Sequence, residues 1–411
     1  MPGLRGTAAE RLESRHAQRP ARSMNPEENP SAPADIVVVG PILPFRGGIS
    51  QYNELLYGSM KKLGLPNRFI SFSRQYPALL YPGKSDKDPS KLGQSLPGVR
   101  YDIDSLNPLT WWRSARRIAA TRPALVAFHW WTIFWAPCFI AMCYLLRRRR
   151  VRVAFIVHNL EDHDAGRLKS VLSRRLLGMA DGFLTHSQSQ KAALEALFPG
   201  KPVLCHPIPS YGHYPAPTGS LPKRGRLELL FFGFIRPYKG LDLLMEALER
   251  LQDSSVYLTV VGEPWGDMEA IQQAAARLGD RVELHLEYKG DEEVADYFER
   301  ADFVILPYRH ATGSAVASVA HHYQKPLLAT NVGGLPDVVE HDVTGMLFPP
   351  NDVAALTQVM ADARREQAER LSANVKAQSR QWTWDTLARQ LHRLTAGPDA
   401  SPRQSKDAHH G

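Results

Sequence analysis

The chain has 411 residues, 44% of them hydrophobic, and carries 50 Lys and Arg against 42 Asp and Glu, a net charge of +8. That length exceeds what one hydrophobic core supports, so two domains are expected, and three cysteines (Cys138, Cys143, Cys205) without metal-ligand spacing imply neither a disulfide framework nor a structural zinc. The charge is uneven, +13 over residues 35–215 and −6 over 216–411, which points to an anionic partner for the first half; no nucleic-acid module accompanies it.

In chain order, residues 1–33 are polar and Pro- and Arg-rich and are expected to be a disordered tail, without the apolar stretch of a signal peptide; a cytoplasmic location follows. Ile36 to Val39 reads as a buried strand, Pro41 to Gly48 as a glycine-containing turn and Ile49 to Leu63 as a helix. Further strands are expected at Arg68–Phe72, Ala124–Phe128, Val151–Val157, Gly182–Thr185 and Pro202–Cys205. Ala124 to Leu146 is long and apolar enough to suggest a membrane span, but His129 and Pro137 interrupt it, and strand–helix–strand accounts for the whole run. This alternation defines a doubly wound α/β domain over 34–206, followed by a Pro-, Gly- and Tyr-rich linker at 207–225. A second α/β domain, 226–370, has strands near Leu227, Val256, Val282, Phe303, Pro326 and Gly345. A terminal helical segment, 371–396, contains Trp382 and Trp384, and residues 397–411 form a second polar tail.

The clearest local signal is Gly233-Phe234-Ile235-Arg236-Pro237-Tyr238-Lys239-Gly240, between an apolar strand and an amphipathic helix. Ligands collect at the C-terminal ends of parallel strands, where the next helix adds its dipole and free N–H groups, so a diphosphate fits between Arg236 and Lys239. A second strand, Phe303 to Leu306, leads to Pro307-Tyr308-Arg309 and then Thr312-Gly313-Ser314-Ala315-Val316, opening another helix. Thr312 and Ser314 can contact phosphate or cap that helix. The stretch Asn331-Val332-Gly333-Gly334 supplies one more glycine turn. Gly47 and Gly48, between the first strand and helix, allow close approach of a substrate to the backbone.

Arg236 with Lys239, the Pro307 to Gly334 block and Val343-Thr344-Gly345-Met346-Leu347-Phe348 together resemble the retaining, family-four type of GT-B glycosyltransferase over roughly residues 35–395. The resemblance implies two Rossmann-like domains facing a cleft, acceptor bound by the first and nucleotide sugar by the second. It implies Arg236 and Lys239 on the diphosphate, with Gly47, Gly48, Thr312, Gly313, Ser314, Ala315 and Val316 completing the donor site. His158, after the Val151–Val157 strand, corresponds to the family's histidine facing the donor sugar, and Arg46, Arg74 and His163 fall on the acceptor side. The closing helix is expected to pack back toward the first domain. No cofactor beyond the nucleotide-sugar co-substrate and no metal is expected, because two cations already serve the diphosphate; Asp102-Ile103-Asp104 and Asp162-His163-Asp164 are read as chance.

Where the family usually places two glutamates eight residues apart, this chain has Ala311 and Val319, as in a variant branch that uses Thr, Ser and backbone groups; the ribose contact is then unassigned, with His322 as a conjecture. The function expected is sugar transfer to a glycan or polyprenyl-linked acceptor in surface or exopolysaccharide synthesis. Arg113, Arg116, Arg117 and Arg147–Arg150, interleaved with Trp111, Trp112, Trp130, Trp131 and Trp135, suggest peripheral attachment to the anionic inner face of the cell membrane. A nucleotide-binding scaffold without catalysis, or another GT-B enzyme such as a phosphorylase or sugar-nucleotide epimerase, stays open on the sequence.

Overall fold

A computed structural model describes residues 35–77, 85–88, 91–160 and 167–396. The expected tails lie outside these, as does His163. The first half contains β1 (Ile36–Val39), α1 (Gly48–Lys62), β2 (Asn67–Arg74), β3 (Val99–Asp104), α2 (Pro108–Ala120), β4 (Leu125–Trp130), α3 (Ala136–Arg148), β5 (Val153–Val157), α4 (Arg167–Leu177), β6 (Gly182–Thr185), α5 (Gln188–Leu197) and β7 (Val203–Cys205). The second contains β8 (Leu227–Phe232), α6 (Leu241–Arg250), β9 (Val256–Val261), α7 (Glu269–Leu278), β10 (Val282–His285), α8 (Asp291–Arg300), β11 (Phe303–Leu306), α9 (Ala315–His322), β12 (Leu327–Thr330), β13 (Gly345–Phe348), α10 (Val353–Asp362), α11 (Arg365–Ser379) and α12 (Trp384–Arg393).

The strands form two sheets, ordered β3-β2-β1-β4-β5-β6-β7 and β10-β9-β8-β11-β12-β13, and every pairing is parallel. Their central strands are continuous Val, Ile, Leu and Phe runs because helices cover both faces. Strand order reverses between β1 and β4 in one sheet and between β8 and β11 in the other. Loops at such switch points leave a crevice, and the loops singled out from sequence sit at both.

The 124–146 run resolves into β4, a short turn and α3 with Pro137 in its first turn, and no helix among the described residues is long and apolar enough to cross a membrane. Sequence reading missed β3, an edge strand whose Asp102 and Asp104 alternate with apolar residues. Asp102 pairs with Arg100 and Arg117, and Asp104 with Arg74. The division placed at 370/371 falls inside α11, whose Ala368 and Leu371 belong to the second sheet's core.

The return to the first sheet is made by α12. Its capping box, Thr383 with Thr386, starts the helix, and its apolar stripe of Leu387, Ala388 and Leu391 packs with Ile36, Val38 and Leu56. Asp385 then accepts from Ser59 Oγ at 2.7 Å and Lys62 Nζ at 2.8 Å on α1.

Candidate active site in the cleft

The loop after β8 is shaped by two glycines. At Gly233, with φ +90°, a Cβ would lie 3.2 Å from Lys239 Nζ; at Gly240, with φ +69°, it would lie 2.1 Å from the Pro307 carbonyl. The chain therefore folds Lys239 back beneath Gly233 and abuts the loop after β11, where Arg309 N donates to Tyr238 O at 2.8 Å. Lys239 is only 7% exposed, and among the described residues no carboxylate pairs with it. Burial, and then the charge of Arg236, push its ammonium down to about 7. The Arg236 guanidinium lies over the Trp265 ring, 3.9 Å from its centroid.

On the loop after β11, Ser314 caps α9 by accepting from Ala317 N at 3.4 Å, so its hydroxyl serves the helix start that Gly313, Ser314, Ala315 and Val316 present to the cavity. Thr312 is placed differently from the expectation. It is absent from the cavity walls, and its carbonyl accepts from Gln190 Nε2 at 3.1 Å. Gly333 and Gly334 explain themselves here, since a Cβ on either would strike the Ala311 or Thr312 carbonyl.

Across the cleft, Gly48 starts α1 directly against α9: an added Cβ would lie 3.1 Å from Ala315 Cβ. Two cavities adjoin at this point, sharing Gly47, Gly48, Phe234, Tyr238 and Lys239. The first, about 230 Å³, has an apolar wall of Val261, Val294 and Val319 and is also lined by Asp291 and by Gln51, whose Nε2 donates to the Tyr214 hydroxyl at 3.5 Å. The second, about 550 Å³, is lined by Gln75, Tyr76, Trp131, Asn159 and Trp265.

Two expected acceptor residues are otherwise engaged. Arg74 chelates Asp104 through Nη2, 2.6 Å, at the outer sheet edge, while its neighbours Gln75 and Tyr76 reach the second cavity. Arg46 borders that cavity, but its guanidinium bonds Glu263 at 2.6 Å and lies 4.3 Å from the Tyr288 centroid, so its charge is used across the cleft. His322, conjectured for ribose, instead places Nε2 3.1 Å from the Tyr214 carbonyl of the linker. His158 bonds His129 through Nε2 at 2.7 Å and lies next to Asn159 of the second cavity.

Sequence reading missed Gln51, Trp131, Glu263, Trp265 and Tyr288. Four of these follow strand ends (β4, β9 and β10), and the strand-end rule that found Arg236 would have found them too. Of the five tryptophans read as membrane-facing, Trp130 and Trp135 are core, Trp131 lines the second cavity, and Trp111 Nε1 donates to the Asp104 carbonyl. Only Trp112, 44% exposed, is open to solvent.

Two parallel sheets facing a cleft with a buried lysine at its centre define a GT-B architecture. Residues 46–210 match the model for Glycosyltransferase Family 4, and residues 226–365 match the model for Glycosyl transferases group 1. The chain belongs to the GT-B glycosyltransferases. It is 34% identical over 218 residues to a D-inositol 3-phosphate glycosyltransferase of Streptomyces griseus, an alignment covering 48% of this chain and 46% of the relative. The alignment thus spans about half the length of that curated relative. Among solved structures, sucrose-phosphate synthase from Thermosynechococcus elongatus superposes with a TM-score of 0.65 at 19% identity, covering 88% of this chain and 98% of the other. The Anabaena HepE protein in complex with UDP-glucose gives 0.66 at 16% identity, covering 87% and 98%. At these identities the likeness is one of fold.

Proposed function

We propose that the chain is a retaining glycosyltransferase that moves a sugar from a nucleoside diphosphate donor to a glycan or polyprenyl-linked acceptor, without a metal, at the anionic cytoplasmic face of the membrane. The observation that carries this reading is Lys239: a buried ammonium without a carboxylate partner among the described residues, where two cavities meet. Desolvating a charge is costly unless an anion compensates it, and a diphosphate bridging Lys239 and Arg236 does so. The first cavity then takes the nucleoside, with Gln51 supplying the ribose contact that Val319 cannot make. The second takes the acceptor, whose rings can lie against Tyr76, Trp131 and Trp265. HepE, solved in complex with UDP-glucose, shares the fold, which supports a nucleotide sugar as donor.

In the reaction, the bond from the anomeric carbon to the diphosphate breaks, and the acceptor oxygen bonds that carbon on the same face. The acceptor's proton passes to the departing diphosphate. Lys239, Arg236 and the N–H groups opening α9 stabilise the charge that develops on the leaving group. Retention rests on the family resemblance. The membrane setting is supported by Leu106, Leu109, Trp112 and Tyr144, 44% to 62% exposed, beside exposed Arg113, Arg116 and Arg148 on the packed pair α2 and α3.

A thermal-shift screen against UDP, GDP, dTDP and ADP, followed by sugar-release assays on the stabilising nucleotide, tests the reading. Stabilisation with release supports a transferase; stabilisation without release, even with acceptor glycans present, supports the non-catalytic scaffold. No stabilisation removes the nucleotide site.

A further inference from the structure

Below the cleft, at the C-terminal ends of β4, β5 and β6, three histidines close around Tyr52. His129 and His158 have ring centroids 5.0 Å apart and planes 11° from parallel; His186 lies 5.2 Å from His158, and Tyr52 meets all three rings edge-on. Among the described residues no carboxylate bonds to any of them. Burial holds all three below the usual histidine range, His129 at about 3 and His186 at about 4, so each ring is neutral near pH 7 and carries one N–H.

One proton is shared between His129 Nδ1 and His158 Nε2 across 2.7 Å, and its owner follows from the opposite side of His129. His129 is fully buried, and its Nε2 has no hydrogen-bond partner among the described residues. If His158 donated, the one proton of His129 would sit on Nε2 as a buried N–H without an acceptor. If His129 donates, only a bare lone pair is left there, the lesser deficiency, since orphaned buried N–H groups are the rarer kind. The proton of His158 is then on Nδ1, which makes no hydrogen bond among the described residues. His158 itself is only partly buried.

We propose that His129 is a positioning residue: by donating to Nε2 it fixes His158 as the Nδ1–H tautomer, so that the ring offers the donor sugar a hydrogen-bond donor rather than an acceptor. The sugar contact rests on the function proposed above; the tautomer does not. Gly40 belongs to the same device, because a Cβ there would lie 2.8 Å from His129 Cδ2 and press the ring out of line.

Long-range proton–nitrogen NMR of the full chain labelled with ¹⁵N-histidine, free of ligand at pH 7.5, tests the assignment, with His158 identified by its loss in His158→Gln. The expected spectrum has a protonated Nδ1 and a bare Nε2 at His158; a protonated Nε2 overturns the proposal. His129→Asn places an amide donor where Nδ1 stood and should keep both the tautomer and kcat within about twofold. His129→Leu should mix the tautomers and lower kcat roughly tenfold, with nucleotide affinity unchanged. An unaltered His158 tautomer in His129→Leu also overturns it. Should His129→Leu not fold, the wild-type spectrum still decides. Absence of sugar release by the wild type would count against the transferase reading, whereas the tautomer alone decides the role of His129.

Discussion

Arg46, on the loop after β1, donates to Glu263, on the loop after β9, over 2.6 Å, and this ion pair ties the two sheets together across the cleft. The Arg46 side chain is 4% exposed and that of Glu263 16%, so the two ends are unequal. Removing Glu263 strands a nearly dry guanidinium, whereas removing Arg46 leaves a carboxylate that water can reach. Breaking a buried pair costs about 3–5 kcal/mol when the remaining charge is uncompensated. Glu263→Ala should therefore destabilise the closed form more than Arg46→Ala and enlarge the radius of gyration measured by small-angle scattering. Equal effects would place the pair in solvent.

Nucleotide affinity should depend on Lys239. Its free-state pKa is about 7, lowered by burial and then by Arg236, and a bound diphosphate must raise it. The complex therefore takes up a proton above pH 7, and affinity falls as pH rises, at most about tenfold per unit between 7 and 9. Calorimetric titration of UDP across that range should show the slope, and Lys239→Met should flatten it.

Acid should weaken the fold through its buried histidines. His129, His186 and His321 are held at about 3, 4 and 4 by burial, with ordinary values near 6.5. Between pH 6.5 and 4 the unfolded chain binds protons that the folded chain refuses. Stability is therefore full above 6.5 and falls as pH drops, each group adding a slope of up to about 1.4 kcal/mol per unit. Urea denaturation at pH 7.5, 5.5 and 4.5 measures this, and His321→Phe, away from the cavities, should reduce the slope by about one proton.

The strands other than β3 were legible because most are short apolar runs bounded by turn residues, and Gly233 and Gly240 because only glycine fits the close approaches they make. The ion pairs of Arg46 and Arg74 were invisible in the sequence for one reason. Their partners Glu263 and Asp104 lie 217 and 30 residues away, and a charge without its partner looks available for ligand. Edge strand β3 escaped because its polar alternation serves ion pairs instead of a core. Tryptophan clusters gave no hint of depth, since Trp111 and Trp112 are neighbours in sequence but differ in exposure.

Ribose recognition should reside in Gln51, which faces the cavity that Val319 lines from α9. A neutral hydrogen bond contributes roughly 0.5–1.5 kcal/mol, so UDP should bind about two- to thirteenfold more tightly than 2′-deoxy-UDP. Gln51→Ala should erase that preference while leaving 2′-deoxy-UDP binding unchanged. A preference that survives assigns the ribose elsewhere.

The central claim is that Lys239 and Arg236 hold a nucleoside diphosphate, and titration calorimetry of UDP at pH 7.0 into the wild type, Lys239→Met and Arg236→Ala tests it most directly. Each charge-assisted bond is expected to contribute about 1.5–3 kcal/mol, so each variant should bind at least about tenfold more weakly with its fold intact. Undiminished binding in both variants would contradict the account.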